Sequence, residues 1–341
     1  MNTQIDPSRI LQLGEGFMAS KTLLSAVELG LFTRLGGTAL TGAQLAAELG
    51  LHPRAIPDFP DTLVALGLLD RDGDGPEAGY RNTAQTAAFL DRTSPSYVGA
   101  VLEMCNARLY RFWGDLTAGL RTGQPQNEIK HTGQSMFDEL YRDPARLEQF
   151  LEAMAGVSIP GFLALAEKFD FSAYRTLCDA GGATGQLSVI VARRHPHIRC
   201  TTFDLPPVEP LAKRTIEAAG LSDRVTTAAG DFFEDPLPEA DVITMGIVLH
   251  DWNLERKLHL INAAYEALPP GGALIALEPF IDDARRRDAF ALLMSLNMLI
   301  EFGDAFGFTG NDYATWCQQA GFRKVDILPL AGWVSAGIAY K

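Results

Sequence analysis

The chain has 341 residues, of which 47% are apolar and 21% are charged, a composition typical of a soluble globular protein and not of a fibrous or disordered one. The 29 basic and 42 acidic residues give a formal net charge of −13, which argues against a surface built to bind the phosphate backbone of nucleic acid. The length exceeds that of one typical domain and predicts about two domains with buried clefts between their elements.

Cysteine spacing and the start of the chain both bear on localisation. The four cysteines show neither metal-binding nor disulfide spacing, which suits a reducing compartment. The first twenty residues lack the features of an export signal, and no apolar run reaches the roughly 18 residues that a membrane span needs. The sequence therefore predicts a cytoplasmic protein with no membrane partner and no nucleic-acid partner.

Residues 10–150 carry apolar side chains at helical spacing, which predicts a mainly α-helical front half. Thr41 is placed to cap one of these helices. Residues 70–83 predict a short hairpin after a helix, so the arrangement resembles a winged-helix unit. The candidate recognition helix, residues 57–66, contains two acids and no base, which favours packing or dimerisation over DNA binding.

After about residue 169 the pattern changes to short β-branched runs that alternate with helical stretches, as in βαβ units with a parallel sheet. The predicted parallel strands are Arg175–Asp179, Ile198–Phe203, Arg224–Ala228, Ala240–Met245 and Gly272–Glu278. Two late runs, Lys324–Pro329 and Val334–Tyr340, predict an antiparallel hairpin at the sheet edge. The predicted fold class is therefore α/β, a doubly wound Rossmann-like sheet with a reversed edge strand behind a mainly α front half.

The change of pattern predicts two domains. Residues 1–168 would form a helical dimerisation and acceptor-pocket domain, and residues 169–341 a cofactor-binding Rossmann-like catalytic domain. Ligands of doubly wound sheets bind at the carboxyl ends of the strands, beside the point where the strand order reverses. The residues that follow each predicted strand are therefore the candidates for a site.

The first predicted strand ends in Asp179 and continues as Ala-Gly-Gly-Ala-Thr-Gly into a helix. Gly181 and Gly185 allow a sharp turn and a close approach of a ligand to the backbone. The dinucleotide fingerprint is not satisfied, because Ala183 and Gln186 stand at its second and third glycine positions, and this disfavours a nicotinamide cofactor. A tight strand-to-helix turn without a ligand is the alternative.

Two further strand ends carry groups suited to a nucleoside. Asp204 follows the second strand, where its carboxylate can accept both hydroxyls of a ribose, although it can also cap the segment that follows. Asp231 and Phe232 follow the third strand and pair an acceptor for an exocyclic amine with an aromatic face for a purine ring. Phe232 and Phe233 are alternatively plain core residues.

The fourth strand is followed by Leu-His-Asp-Trp, which brings a titratable imidazole to the same edge of the sheet. His250 can take a proton from a bound hydroxyl near neutral pH, because the reference pKa of imidazole is about 6.5. The alternative is a hydrogen-bonded histidine at a strand end. Asp251 would polarise this site or cap the next helix, and Asn253 is the favoured cap.

Taken together, these motifs resemble the class I S-adenosylmethionine-dependent small-molecule O-methyltransferases of the caffeate and polyketide-tailoring type. The resemblance covers nearly the whole chain, from the helical half through DAGGATG, FDLPPV, AGDFF, LHDW and LPPGGALIALE to the closing hairpin. It implies S-adenosylmethionine as cofactor, a small-molecule acceptor and a homodimer. The implied cofactor residues are Asp179, Gly181, Gly182, Asp204, Leu205, Gly230, Asp231 and Phe232.

The same resemblance assigns the catalytic group. His250 would act as the general base with Asp251 beside it, and Glu278 at the end of the fifth strand would orient the imidazole. The acceptor pocket would be formed by a front-half helix and by residues 297–306. Its predicted members are Arg108, Tyr110, Trp113, Asn297, Met298 and Phe302.

Two positions depart from the family pattern. Ala183 stands where a third glycine is usual, so the backbone would approach the cofactor slightly less closely. Gly307-Phe-Thr replaces a stretch that normally supplies a second glutamate beside the base. This loss leaves two acceptors open, a hydroxyl deprotonated by His250 or a thioether of a hydroxy acid such as 4-methylthio-2-hydroxybutyrate in dimethylsulfoniopropionate synthesis, which has no proton to lose.

Two other classes of protein bear on the same motifs. A catalytically silent dimer that binds S-adenosylmethionine would share every cofactor motif. A metal-dependent reaction would need a third ligand beside His250 and Asp251, and residues 293–308 contain no second histidine, so the sequence predicts no metal.

Overall fold

The computed structural model describes residues 5–133 and 140–341. The chain forms two compact units that divide between Arg111 and Phe112. The predicted boundary at residue 168 lies later, because the helix Pro144–Lys168 belongs to the second unit, where Leu165 and Ala166 are buried in the core of its sheet. The functional division into a dimerisation and a catalytic domain stays a prediction.

The first unit combines short helices with a small antiparallel sheet. Its strands are β1 (Leu40–Thr41), β2 (Leu69–Asp72) and β3 (Gly79–Asn82), in the order β1-β3-β2. The predicted hairpin is confirmed, since β2 and β3 pair antiparallel. The helices are α1 (Ser8–Gly14), α2 (Gly16–Glu28), α3 (Leu31–Leu35), α4 (Gly42–Leu49), α5 (Asp58–Ala65), α6 (Ala84–Phe89) and α7 (Gly99–Met104), with a 3₁₀ turn at Pro53–Ala55 and a π-helical turn at Cys105–Leu109.

Local signals explain where these helices begin and which side they bury. The hydroxyl of Thr41 accepts a hydrogen bond from the Gln44 amide, and the Gln44 side chain accepts one from the Thr41 amide, which completes a capping box at the start of α4. The apolar faces of the helices meet in one cluster that includes Val27, Phe32 and Leu63.

The second unit contains a seven-stranded sheet in the order β6-β5-β4-β7-β8-β10-β9. Its strands are β4 (Thr176–Ala180), β5 (Arg199–Asp204), β6 (Val225–Ala229), β7 (Val242–Gly246), β8 (Ala273–Glu278), β9 (Lys324–Pro329) and β10 (Ser335–Tyr340). Strands β4 to β8 are parallel. The predicted strands are confirmed to within one or two residues at each end.

The position of the reversed strand differs from the predicted one. Strand β10 runs antiparallel to both β8 and β9, so it is the reversed strand, and it lies one position inside the edge. Strand β9 is the edge and runs in the direction of β8. The chain reaches the edge first and then returns into the sheet, because β10 buries Ala336, Ile338 and Ala339 whereas β9 alternates between half-buried and exposed residues.

Helices cover both faces of this sheet and leave the carboxyl ends of the parallel strands as one edge. Helix α8 (Tyr110–Phe112) spans the division between the two units. The other helices of the second unit are α9 (Leu116–Thr122), α10 (Ile129–Thr132), α11 (Pro144–Lys168), α12 (Gln186–Arg194), α13 (Glu209–Ala218), α14 (Leu254–Ala267), α15 (Ala289–Phe302) and α16 (Gly310–Ala320), with 3₁₀ turns at Trp113–Asp115 and Leu249–Asp251. One apolar cluster joins α11 and α12 to the sheet, and a second joins α14 and α16 to it. Within the described ranges, no helix is long and apolar enough to cross a membrane.

Candidate active site

Three neighbouring strands bring the predicted cofactor residues to one edge of the sheet. Asp179 lies near the end of β4, Asp204 is the last residue of β5, and Gly230 follows β6. Backbone hydrogen bonds tie these ends together, since the Gly181 amide donates to the carbonyl of Phe203 over 2.9 Å and the Gly230 amide donates to that of Asp204 over 3.0 Å. The predicted meeting of these residues is therefore seen in the structure.

The glycine turn after β4 packs closely against its neighbours. Gly181 has φ +72°, a conformation that L side chains rarely adopt, and a Cβ there would lie 2.8 Å from Val248 Cγ2 and 3.7 Å from the Phe232 ring. A Cβ on Gly230 would lie 2.7 Å from the Phe203 ring. Glycine is therefore required at both positions, and the term crevice denotes the turn together with the ends of β4, β5 and β6.

Ala183 lies in this turn with φ +49°, the left-handed region that costs an alanine about 1–2 kcal/mol. Its amide donates a 2.8 Å hydrogen bond to Asp204 Oδ2. The position where the family usually has glycine is therefore occupied by a strained alanine that still presents its amide to the carboxylate.

The two carboxylates of the crevice are held in different ways. Asp204 accepts hydrogen bonds from the amides of Ala183 and Leu205, and burial nevertheless raises the pKa of its carboxyl to about 6. The Leu205 bond is the local capping contact considered from the sequence. Asp179 accepts a 2.8 Å hydrogen bond from the Thr244 hydroxyl, and its burial raises its pKa to about 7.

The third strand end supplies an aromatic wall. Asp231 is half-buried and accepts a hydrogen bond from the Phe233 amide over 2.9 Å. The Phe232 ring meets that of Phe233 edge-to-face at 4.8 Å, and Trp252 closes the group. The buried indole Nε1 of Trp252 has no hydrogen-bond partner among the residues that the structure describes.

One residue of the crevice was missed in the sequence. Tyr141 and Ala183 both pack against the buried cluster that contains Val208, and burial together with the charges of Asp204, Asp251 and Asp231 raises the pKa of Tyr141 above the ordinary value of a phenol. No motif marks this tyrosine, because its helical segment reaches the crevice only through tertiary packing.

His250 lies in the 3₁₀ turn after β7 and is only 5% exposed. Its Nδ1 is 2.6 Å from Glu278 Oε2, and its Nε2 is 3.1 Å from Asp251 Oδ1. Glu278 Oε1 also accepts hydrogen bonds from the amides of Leu249 and His250. The glutamate at the end of β8 thus fixes both the imidazole and the turn that carries it.

The electrostatics of the imidazole follow from this clamp. Burial lowers the pKa of His250, but the adjoining carboxylates of Glu278 and Asp251 outweigh burial and raise the pKa to about 10. With these groups alone the ring is protonated at neutral pH. Although Gly307-Phe-Thr contributes no carboxylate, two carboxylates flank the ring.

The predicted acceptor residues fall in both compact units. In the second unit the indole of Trp113 donates a 2.9 Å hydrogen bond to Asn297 Oδ1, and Asn297 and Met298 are buried on α15 near its half-buried Phe302. Arg108 and Tyr110 belong to the first unit, where the Tyr110 hydroxyl lies 3.4 Å from the Phe17 carbonyl oxygen. The acceptor role of all six residues stays a prediction.

One smaller prediction, the cap of α14, is confirmed. Asn253 caps α14 by accepting a hydrogen bond from the Arg256 amide, as expected. Within residues 5–133 and 140–341, no group of three or more His, Cys, Asp or Glu side chains is arranged to hold a metal ion.

The fold and the residues at the strand ends together define a class of protein. A doubly wound sheet with a glycine turn, carboxylates on successive strand ends and an aromatic wall suits a nucleoside cofactor without a phosphate cradle. A clamped histidine on the next strand end adds an acid–base group, so the class is that of Rossmann-like proteins that carry an acid–base residue beside a nucleoside-type site.

Comparison with known families makes the assignment specific. Residues 113–323 match the O-methyltransferase domain, and residues 11–92 match the O-methyltransferase dimerisation domain. The chain therefore belongs to the O-methyltransferase family. Enzymes of this family are S-adenosylmethionine-dependent, so the protein is an S-adenosylmethionine-dependent O-methyltransferase of hydroxyl groups on small molecules.

Individual relatives extend over the full chain. Tetracenomycin polyketide synthesis 8-O-methyl transferase TcmO of Streptomyces glaucescens is 41% identical over 96% of this chain and 94% of its own. The N,N-dimethyltransferase OxyT of Streptomyces rimosus is 36% identical over 96% and 95%. The 3-hydroxy-5-methyl-1-naphthoate 3-O-methyltransferase of Streptomyces sahachiroi is 34% identical over 97% and 95%. Human N-acetylserotonin methyltransferase, solved in complex with S-adenosylmethionine, has a TM-score of 0.90 at 30% identity over 100% and 99%.

Proposed function

We propose that the protein methylates a hydroxyl group on a small aromatic molecule and that His250 takes the hydroxyl proton. The observation that carries this proposal is the imidazole fixed between Glu278 and Asp251, on the strand end next to the glycine crevice. Alignment of acceptor, methyl carbon and sulfur supplies much of the rate, up to about 7–11 kcal/mol in favourable cases.

We propose that S-adenosylmethionine binds in the crevice. We assign the ribose hydroxyls to Asp204, and the adenine to Asp231 and Phe232. The remaining predicted contacts line the same strand ends: Asp179, Gly181, Gly182, Leu205 and Gly230. When bound, the cofactor supplies a methyl group already activated on a sulfonium, so the chain itself has to bind, orient and exclude water.

His250 serves best as a base through Nε2. Its Nδ1 faces Glu278 over 2.6 Å, so a proton on Nδ1 is held by that carboxylate and Nε2 is the nitrogen left to accept. Asp251 lies 3.1 Å from Nε2 and stands where an incoming hydroxyl would bond. We infer that the acceptor hydroxyl displaces Asp251 from Nε2, and that Asp251 then stabilises the imidazolium formed by proton transfer.

A thioether acceptor gains no support from the comparisons, which place the chain among O-methyltransferases. The departure at Gly307 that suggested it is compensated locally, because Asp251 provides the second carboxylate beside the ring. The N,N-dimethyltransferase among the relatives makes an amine the acceptor to test against a hydroxyl.

We infer an aromatic acceptor from the residues predicted to line the acceptor pocket and from the relatives. Trp113, Asn297, Met298 and Phe302 combine aromatic, thioether and amide surfaces, which suit a flat ring with polar substituents. The relatives named for polyketide and naphthoate methylation act on acceptors of this kind.

The acceptor is tested by transfer of a labelled methyl group from S-adenosylmethionine to matched panels of hydroxynaphthoates, aromatic amines and thioether acids, followed by mass spectrometry. A gain of one methyl on a hydroxynaphthoate, with none on its O-methylated counterpart, supports the proposal. Transfer only to amines or thioethers would contradict it. The His250→Asn variant, run in parallel, separates base-dependent transfer from background.

We further propose a homodimer formed through residues 11–92. Helices α1 and α2 expose apolar side chains that a partner would cover, among them Ile10, Leu13 and Phe17. Light scattering coupled to size-exclusion chromatography is expected to give twice the 37.0 kDa chain mass. A monomeric mass at micromolar concentration would overturn this assignment.

A further inference from the structure

Lys257 is an unusual residue, because it is a lysine on α14 with 0% of its surface exposed. Lysines are almost never fully buried unless they are paired. Its Nζ donates to the carbonyl oxygen of Trp252, and it lies 3.6 Å from the centre of the Phe306 ring and 5.6 Å from that of Phe308. The ammonium group is therefore enclosed by the His250 turn on one side and by two aromatic faces on the other.

Two of the three carboxylates that act on the charge of Lys257 also act on that of His250. Burial lowers the pKa of Lys257 to about 8, while the carboxylates of Glu278, Asp251 and Asp304 act in the opposite direction. Glu278 and Asp251 are the same two groups that raise the pKa of His250. Tyr313, on α16, is neutral in this pH range because burial raises its pKa.

We propose that Lys257 is a positioning residue for methyl transfer, whose buried ammonium group anchors the His250 turn through the carbonyl of Trp252, the residue that follows Asp251. This inference rests on the proposed role of His250 as base. A second cation near the two carboxylates makes an additional proton on His250 less favourable. Lys257 thus keeps more of the imidazole in the neutral form that can accept a proton.

The charge of Lys257 changes near pH 8, and this gives the kinetic test its expected pH dependence. Below about pH 8 the lysine is charged and assists His250, whereas above that pH it is neutral in the native protein too. Lys257→Met keeps the length and apolar bulk of the side chain and removes the charge. The variant is therefore expected to lose about three- to tenfold in kcat at pH 7 and to converge with the native protein above about pH 9.

The kinetic experiment measures kcat between pH 6.5 and 10 for native protein, Lys257→Met and Lys257→Gln, with the hydroxyl acceptor identified in the labelled-methyl screen. Lys324→Met is the matched control, since Lys324 is an exposed lysine on the edge strand. A loss that is the same at every pH, or no loss at all in a folded variant, would overturn the proposal. A purely structural lysine would lower the melting temperature without making the loss depend on pH.

The proposed base and the proposed role of Lys257 can be overturned separately. If His250→Asn keeps the native kcat, the proposed base is wrong and the role of Lys257 is overturned with it. If His250→Asn is inactive while both Lys257 variants reproduce the native pH profile of kcat, the proposed function stands and only the Lys257 inference is overturned.

Discussion

The glycine crevice at β4–β6 and the histidine clamp at β7–β8 both place carboxylates at strand ends, but they hold them differently. In the crevice, Asp204 is bonded by backbone amides and Asp179 by a hydroxyl, all neutral donors. In the clamp, Glu278 and Asp251 face a titratable ring, with Lys257 nearby. Neutral donors leave burial to raise the pKa of Asp204 to about 6 and that of Asp179 to about 7, whereas in the clamp the ring and its carboxylates act on one another's charge.

The largest effect is expected from His250→Asn, which alters the clamp and not the crevice. Without the base, kcat with a hydroxyl acceptor should fall by about 10²–10⁴-fold, the usual contribution of a positioned acid–base group. Affinity for S-adenosylhomocysteine, measured by calorimetry, should stay within about twofold because the crevice is untouched. His52→Asn replaces an exposed histidine in the first unit and serves as the control. Loss of cofactor binding in the His250 variant would show that the two regions are not separate.

The pH dependence of kcat/KM tests the electrostatics of the clamp. The protonated imidazole is the inactive form and the carboxylates raise its pKa, so kcat/KM should increase with pH above neutrality, by up to about tenfold per pH unit. Glu278→Gln removes one of these charges and should move the rising limb to lower pH, while poorer orientation of the ring lowers the maximum. A limb that keeps its position in Glu278→Gln would contradict the assignment.

Asp204→Asn tests the crevice alone. An amide has one acceptor oxygen where the carboxylate has two, so either a backbone amide or a ribose hydroxyl loses its partner. Binding of S-adenosylhomocysteine is expected to weaken by about 1–3 kcal/mol, with no change in the titration of His250. Asp170→Asn alters an exposed carboxylate that accepts a similar backbone hydrogen bond and should leave affinity unchanged. Native affinity in Asp204→Asn removes this residue from the cofactor site.

The smallest effect is expected from Ala183→Gly. Glycine relieves the strain of the left-handed conformation but adds entropy to the unfolded chain, so the free energy of unfolding should rise by no more than about 1 kcal/mol. Ala218→Gly, in the last turn of α13, lacks such strain and should lower stability. Thermal unfolding of the two variants in opposite directions checks the prediction. A loss of stability in Ala183→Gly would mean that the alanine is not strained.

Part of this architecture was readable in the sequence, because it depends on neighbouring residues. The alternation of apolar runs predicted the strands of the second unit, and the Thr41 and Asn253 caps follow from side chains that bond amides three residues later. The placement of Asp204 and Asp231 at one edge follows from the rule that parallel strands end together. The position of β10 inside the edge was not predictable, because pairing partners are chosen by burial across the sheet.

The order of elements, the glycine turn and the residue types at each strand end were determined by the sequence alone, since backbone propensity and hydrophobic period act over a few residues. The tertiary structure decided which distant groups share a charge environment. Glu278 meets His250 across 28 positions of the chain. Lys257 is buried in the first turn of α14, next to Glu255 and Arg256. Such contacts arise because packing two helix layers onto a twisted sheet encloses groups whose neighbours in space are remote in sequence.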